Sequence, residues 1–273
     1  MNIYDYLIAG NQKYGSDKSH ICRSNFNCNL EQIQEKVIIA PTWKVNIFSS
    51  HVNSIEHISG PSGHGYKINE LNINGKKVTY ISTGIGACNI LDATLALGCT
   101  SCKEIVFIGS VGALDRNMKI GDIIIPQCSI SGVGTNRYLT SGSISGNDTF
   151  GKKYYPNKNF YNETLSIANE ITKKTDIEVY LGKTYSVDTI FAQYAHLEDI
   201  INMGCNSIEM ETAAFFDAAK VANIKATVIF SISDNTVFGK SLYNGRTEED
   251  RIKIKRSKKE IIPLIVLKLL KLI

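Results

Sequence analysis

The sequence predicts an α/β fold in which the central strands of a sheet are covered by helices on both faces. Three observations carry this. Residues 226–232 and 104–108 are nearly continuous apolar runs, as expected of strands without a solvent face. Between such runs lie stretches of helical periodicity, one with Ile90, Leu91, Leu95 and Leu97. Another is rich in Ala213, Ala214, Ala218 and Ala219, small residues that keep a helix slim enough to lie on a sheet. Asn74-Gly75, between the apolar segments 66–73 and 77–82, is a strong hairpin signal.

Bulk composition narrows the function classes. At 273 residues with 43% hydrophobic content, the chain can build one large α/β core. The net charge of +4 is spread along the chain and gives no nucleic-acid footprint. The one basic cluster, Lys253, Lys255, Arg256, Lys258 and Lys259, reads as the solvated face of a helix. No membrane association is expected: Met1 opens no signal-peptide pattern, and Pro263, Lys268 and Lys271 interrupt the apolar tail 261–273. That tail reads as a helix packed on the domain. Seven scattered cysteines, an odd number without a secretory signal, point to reduced thiols and a cytoplasmic location. Cys99-Thr-Ser-Cys102 has neither a second pair nor a histidine spacing to complete a metal site, so no metal is expected.

In chain order, residues 1–35 form a polar N-terminal extension, expected to be loosely docked, and residues 36–273 form the domain. A strand over 36–40 stops at Pro41, and Val45, Phe48, Val52 and Ile55 give a helical stripe. Gly60, Pro61, Gly63 and Gly65 make a turn before the hairpin. Thr83-Gly84-Ile85-Gly86 then ends a strand and opens a helix. Asn89 stands where a dinucleotide fingerprint needs a third glycine, so the turn means close backbone approach and a helix N-terminus facing a polar or anionic ligand. The strand 104–108 ends in a second glycine turn, Gly109-Ser110-Val111-Gly112. Residues 131–158 form a long Gly/Ser/Asn/Tyr loop. A helix over 160–173, a strand over 177–183, Tyr185-Ser186-Val187-Asp188 and a helix over 194–203 follow. Residues 206–236 then give a polar edge carrying Glu209 and Glu211, a helix, and the buried strand ending on Ser233-Asp234. The carboxyl end of a strand is where open α/β sheets place ligand chemistry. Thr247 is set to cap the last helix.

Glu209-Met210-Glu211-Thr-Ala-Ala followed by Ser233-Asp234 resembles the sugar- and base-binding signature of the nucleoside phosphorylase superfamily. That superfamily comprises purine nucleoside and uridine phosphorylases and related nucleosidases. The two glycine turns fall where the family has them, and residues 117–126 resemble the segment that follows them. The resemblance covers residue 36 to the C-terminus. It implies a three-layer α/β/α sandwich with a central mixed sheet, assembled as a homo-oligomer, either a dimer or a hexamer built as a trimer of dimers. It also implies a glycosyltransferase that cleaves the N-glycosidic bond of a purine nucleoside by phosphorolysis, with inorganic phosphate as co-substrate and no other cofactor.

Such cleavage passes through a cationic sugar and an anionic leaving base, so the protein must protonate the base, hold the ribose and place a nucleophile. By the resemblance, Asp234 is the leaving-base acid, assisted by Arg251 or, failing it, Arg246. Glu211 holds ribose hydroxyls as an ionised carboxylate, Met210 packs under the sugar, and Glu209 either binds sugar or is only a helix-end acid. Tyr185 stacks on the base and Ser233 accompanies Asp234. Gly84, Gly109, Ser110 and Lys44 make the phosphate site. The uridine enzymes read their base with a Gln–Arg pair that has no placed counterpart here.

The nucleophile half departs from the family. Where hexameric phosphorylases carry arginines, this chain has Pro41-Thr42-Trp43-Lys44 after its first strand and Phe107 before the second glycine turn. A single lysine lacks the bidentate fork of arginine. The hydrolytic relatives place a glutamate after the first strand, and none stands there. Two alternatives therefore accompany phosphorolysis: hydrolysis by water, and a catalytically silent nucleoside-binding protein on the same fold.

Overall fold

The computed structural model describes residues 1–61 and 63–273. Its strands, in chain order, are β1 (Lys36–Ile39), β2 (Ser54–Ser59), β3 (Lys67–Ile73), β4 (Lys76–Ser82), β5 (Glu104–Ala113) and β6 (Ile123–Gly132). They continue with β7 (Lys153–Tyr154), β8 (Val179–Val187), β9 (Ser207–Glu209) and β10 (Lys225–Asn235). All belong to one mixed sheet, ordered β10-β6-β8-β9-β5-β1-β4-β3-β2, with β7 beside β6. β4, β1, β5 and β10 run parallel in pairs, and the Asn74-Gly75 hairpin joins β3 to β4 antiparallel. Asn74 and Gly75 both take positive φ, the geometry a type I′ turn demands.

Alternation along the buried strands builds two cores. Val37 and Ile39, Ile105 and Phe107, Val228 and Phe230 face one side, where the helices Ala87–Leu97 and Thr212–Val221 pack. Ile38, Val106, Ile108 and Ile229 face the other, against the helices Lys158–Thr172 and Ile262–Leu269. Successive side chains of a strand point to opposite faces, so a continuous apolar run feeds both layers at once. The three-layer arrangement follows from this.

The sequence reading did not anticipate that half of the sheet closes on itself. β10 pairs with β5 as well as with β6, and the pairings β5–β10–β6–β8–β9–β5 complete a ring. β5 therefore runs on through Gly109-Ser110-Val111-Gly112 to Ala113, so the second glycine turn is strand and not turn. Small residues are needed there because two neighbouring strands press on that segment. The apolar stripe 45–55 is likewise no single helix: a short 3₁₀ turn, Val45–Phe48, precedes β2. The N-terminal segment is docked more firmly than its polarity suggested. It forms the helices Ile3–Lys13 and Lys18–Phe26; Cys22 and Phe26 are buried, and Tyr4 donates its hydroxyl to the Leu95 carbonyl at 2.8 Å. The apolar tail packs as expected, with Ile265, Val266 and Leu269 in the core, and no described helix is long and apolar enough to cross a membrane.

Candidate active site

A cavity of about 220 Å³ opens where the carboxyl ends of β5, β9 and β10 converge. One water occupies only about 30 Å³ of liquid, so this space suits part or all of a small organic ligand. It gathers Asp234, Ser233, Glu211, Met210, Glu209 and Ser110, with Gly109 behind them. They come from three separate segments of the sequence that lie side by side in the closed part of the sheet.

A bulge aims the acid. β10 follows β5 in register to Ile232↔Val111, then slips by one residue so that Asp234 lies opposite Gly112. Such an insertion bends a strand and redirects its side chains. Asp234 is 4% exposed and accepts a 2.6 Å hydrogen bond from the Ser233 hydroxyl. Burial raises its pKa, while the Ser233 hydroxyl and the Arg246 guanidinium pull the other way. On the far side, Gly112 pairs with Ile208 of β9. A Cβ at Gly112 would stand 3.0 Å from Asp234 Oδ2 and 3.2 Å from Ile208 Cγ2, so the glycine is what lets both strands approach.

The two glutamates divide their labour. Glu209 lies on β9, not on the helix, and protein donors take both its oxygens. Ser186 Oγ donates to Oε1 at 2.5 Å, and the amides of Glu211 and Thr212 donate to Oε2 at 2.7 and 2.8 Å. It thus caps the N-terminus of the helix Thr212–Val221. Glu211 turns the other way and accepts the Gly86 amide at 2.7 Å, at the start of the helix Ala87–Leu97. Burial raises both pKa values. The three donors to Glu209 work against burial and favour its ionised form, while the pKa of Glu211 is pushed up to about 8 by burial and by the Glu209 charge. A pKa raised in this way favours the neutral form of Glu211, where the sequence reading expected an ionised carboxylate. A neutral carboxyl still handles two hydroxyls, accepting from one and donating to the other.

Four expected site residues stand elsewhere. Tyr185 is on β8, where alternation sends Ser186 towards Glu209 and Tyr185 to the opposite face; it walls a second cavity with Val187 and Met203. Arg251 is exposed on the helix Glu248–Arg256 and does not line the cavity, whereas Arg246 is half-buried and near enough to act on Asp234. Arg246 donates to the carbonyl of Leu242, a cavity residue, at 2.7 Å. Lys44 is exposed and absent from the lining. Gly84 is absent too, its turn being represented there by Ile85, with the Gly86 amide serving Glu211. Thr247 does cap the last helix, reciprocally with Asp250.

Sequence reading missed Ile190, Gln193 and Leu242, which complete the walls with Thr42, a residue noted only within the departing segment after β1. Ile190 and Gln193 are three apart on the short helix Ile190–Gln193, so they share a face. That spacing was the only signal, and a glutamine in a polar stretch is too ordinary to carry it. Trp43 was noted only as a departure. It is 2% exposed; its indole N–H donates to Ser110 Oγ at 3.1 Å, and its carbonyl accepts the Tyr80 hydroxyl at 2.8 Å. Lys258 lays its ammonium over the indole, 4.9 Å from the ring centroid. Among the described residues that line the cavity there is no lysine, arginine or histidine.

Known proteins share this architecture. A uridine phosphorylase from Vibrio fischeri superposes with a TM-score of 0.72 at 18% identity, over 97% of this chain and 99% of its own. A purine nucleoside phosphorylase from Toxoplasma gondii gives 0.72 at 18% identity, over 89% and 94%. In sequence, DeoD-type purine nucleoside phosphorylases from Anoxybacillus flavithermus and Bacillus velezensis are 26% and 27% identical over 166 and 167 residues, covering 60% and 61% of this chain. The matched part spans about two thirds of those relatives' own length, 66% and 67%. A family model described as Phosphorylase superfamily matches residues 37–265. The chain belongs to the phosphorylase superfamily.

Proposed function

We propose that the protein cleaves the N-glycosidic bond of a purine nucleoside, with Asp234 protonating the leaving base and Glu211 holding the ribose above Met210. The observation that carries this reading is the pairing, in one cavity, of two buried carboxyl groups with different partners. Asp234, with its pKa raised by burial, is suited to deliver a proton; Glu211 is anchored by a backbone amide and suited to fix hydroxyls. Ser233 holds the Asp234 carboxyl in one orientation, and Arg246 favours its ionised form once the proton has left.

Asp234→Asn tests the assignment. It removes the transferable proton and keeps the shape, so kcat should fall by about 10²–10⁴ while nucleoside affinity changes little. A loss of affinity at unchanged turnover would remove Asp234 from the chemistry. A uracil nucleoside is the second reading, favoured by Gln193. Its buried side chain lines the cavity, and an amide presents a donor and an acceptor together. A substrate panel that includes uridine separates the two.

A further inference from the structure

We propose that the protein carries a second ligand site, for a phosphate-bearing aromatic metabolite of nucleotide size, in a lysine-rimmed cavity at the amino end of β10. It shares no lining residue with the candidate active site and does not depend on the nucleoside reading above. Two independent observations support it.

The first is a concave, amphipathic shape. The cavity measures about 380 Å³, against about 220 Å³ at the active site. That volume falls within the usual range of small-molecule pockets, about 300–1,000 Å³. Its floor is apolar: Phe216 and Ala219 of the helix Thr212–Val221 and Ala226 of β10 are all buried. Tyr154 and Tyr155 wall it, and Tyr155 is 60% exposed, leaving ring surface for a planar group to cover. The backbone fixes these walls before any ligand arrives. The Asn157 amide donates to the Ala226 carbonyl at 3.0 Å, which ties the segment 153–157 to β10. Asn223, at φ +56°, turns the chain from the helix into the same strand.

The second is charge. Lys153 of β7, Lys220 near the end of the helix and Lys225 at the start of β10 line the cavity, and among the described residues no acidic side chain does. Lys225 is paired with Glu104 at 3.3 Å, whereas Lys153 and Lys220 form no salt bridge among the described residues. Asp217 of the same helix is already engaged, by Asn136 Nδ2 at 2.8 Å and by the Tyr154 hydroxyl, and does not line the cavity. Like charges gathered without a counter-ion repel one another. A multiply charged anion relieves that repulsion and gains charge-assisted hydrogen bonds. Lysine serves phosphate as a point charge and imposes no fixed fork geometry on it. The apolar floor and the exposed tyrosine call for a ring on the same molecule. Inorganic phosphate satisfies only the rim and a nucleoside only the floor, while a nucleotide satisfies both.

Calorimetric titration of the whole chain with adenosine 5′-monophosphate tests the site directly. Saturable binding is expected, weakening as salt rises, because exposed ammonium groups are screened. Inorganic phosphate, which lacks the ring, should bind about tenfold more weakly or worse. The double variant Lys153→Gln, Lys220→Gln should weaken nucleotide binding by about tenfold or more. Whatever turnover the wild type shows with nucleosides should be unchanged in it. Tyr155→Ala, at an exposed position, should weaken the nucleotide by about fivefold or more and inorganic phosphate hardly at all. Glu211→Gln, in the active-site cavity, should leave nucleotide binding as it is. No saturable binding to the wild type, or binding that the lysine pair does not affect, overturns the proposal. Binding lost with Glu211→Gln would place the nucleotide in the active-site cavity and likewise overturn it. Equal affinity for the nucleotide and for inorganic phosphate would overturn the requirement for a ring.

Discussion

Asp234 can act only if its proton is retained near neutral pH and surrendered in the transition state, and Arg246 is the lever on that balance. The guanidinium lowers a pKa that burial raises. Arg246→Ala should therefore raise the Asp234 pKa, and the alkaline limb of the kcat–pH profile, where the acid is lost, should move to higher pH. Arg251→Ala, on an exposed helix face, should leave that limb in place. A shift with Arg251 and none with Arg246 would reverse the assignment. Gly112 gives a steric test of the same group. Gly112→Ala puts a methyl 3.0 Å from Asp234 Oδ2 and forces the carboxyl aside. Misplacement on the order of 1 Å can cost about 10²-fold in rate, so kcat should fall by about that factor while the circular dichroism spectrum stays native. The motif around Glu211 and Asp234 was legible in the sequence because local chemistry determines it. Tyr185 was not, because a one-residue difference along a strand reverses the face and only pairing to β9 fixes which face is inward.

At the level of elements, hydrophobic runs located the strands well, since burial on both faces leaves an unmistakable apolar pattern. The pattern failed at 45–55, where helical spacing came from two short elements lying against one core. It also failed for the basic cluster of the last helix. Lys253 is not a solvated residue: it reaches Asp122, which is 0% exposed, at 2.5 Å, and the Glu178 amide donates to the same oxygen at 3.0 Å. This clamp ties the C-terminal helix to the start of β6. Gly121, at φ +85°, brings the backbone close under the Lys253 stem. Lys253→Met leaves a buried carboxylate unpaired and should cost about 3–5 kcal/mol in urea unfolding. Adding Asp122→Asn should recover much of that loss, since the stranded charge is gone. Equal stability of Lys253→Met and wild type would show the pair to be incidental.

For the whole molecule, the ring of β5, β10, β6, β8 and β9 explains both the site and its cost. Closure brings the segment Glu209–Glu211, the end of β10 with Asp234 and Ser110 of β5 to one place, and the sequence did not show that closure because it depends on β10 pairing on two sides. The same closure buries these acids and raises their pKa values. The sign of the consequence follows from linkage. Burial and the Glu209 charge push the Glu211 carboxyl from its ordinary 4.5 up to about 8, so the folded state holds its proton more tightly than the unfolded chain does. The stability this contributes is fully present below about pH 4.5 and is lost as pH rises to about 8. Replacing Glu211 with glutamine keeps the shape and removes the titration. Near pH 8 and above, Glu211→Gln should therefore be more stable than wild type, by on the order of a few kcal/mol. The difference should shrink steadily towards pH 5. Thermal unfolding across that range measures it directly. A constant offset at every pH would mean that Glu211 titrates normally in the fold, and the proton placed on it here would belong elsewhere. The gain in stability should come with weaker nucleoside binding, since a group that holds ribose hydroxyls in a buried pocket is one the empty fold would be more stable without.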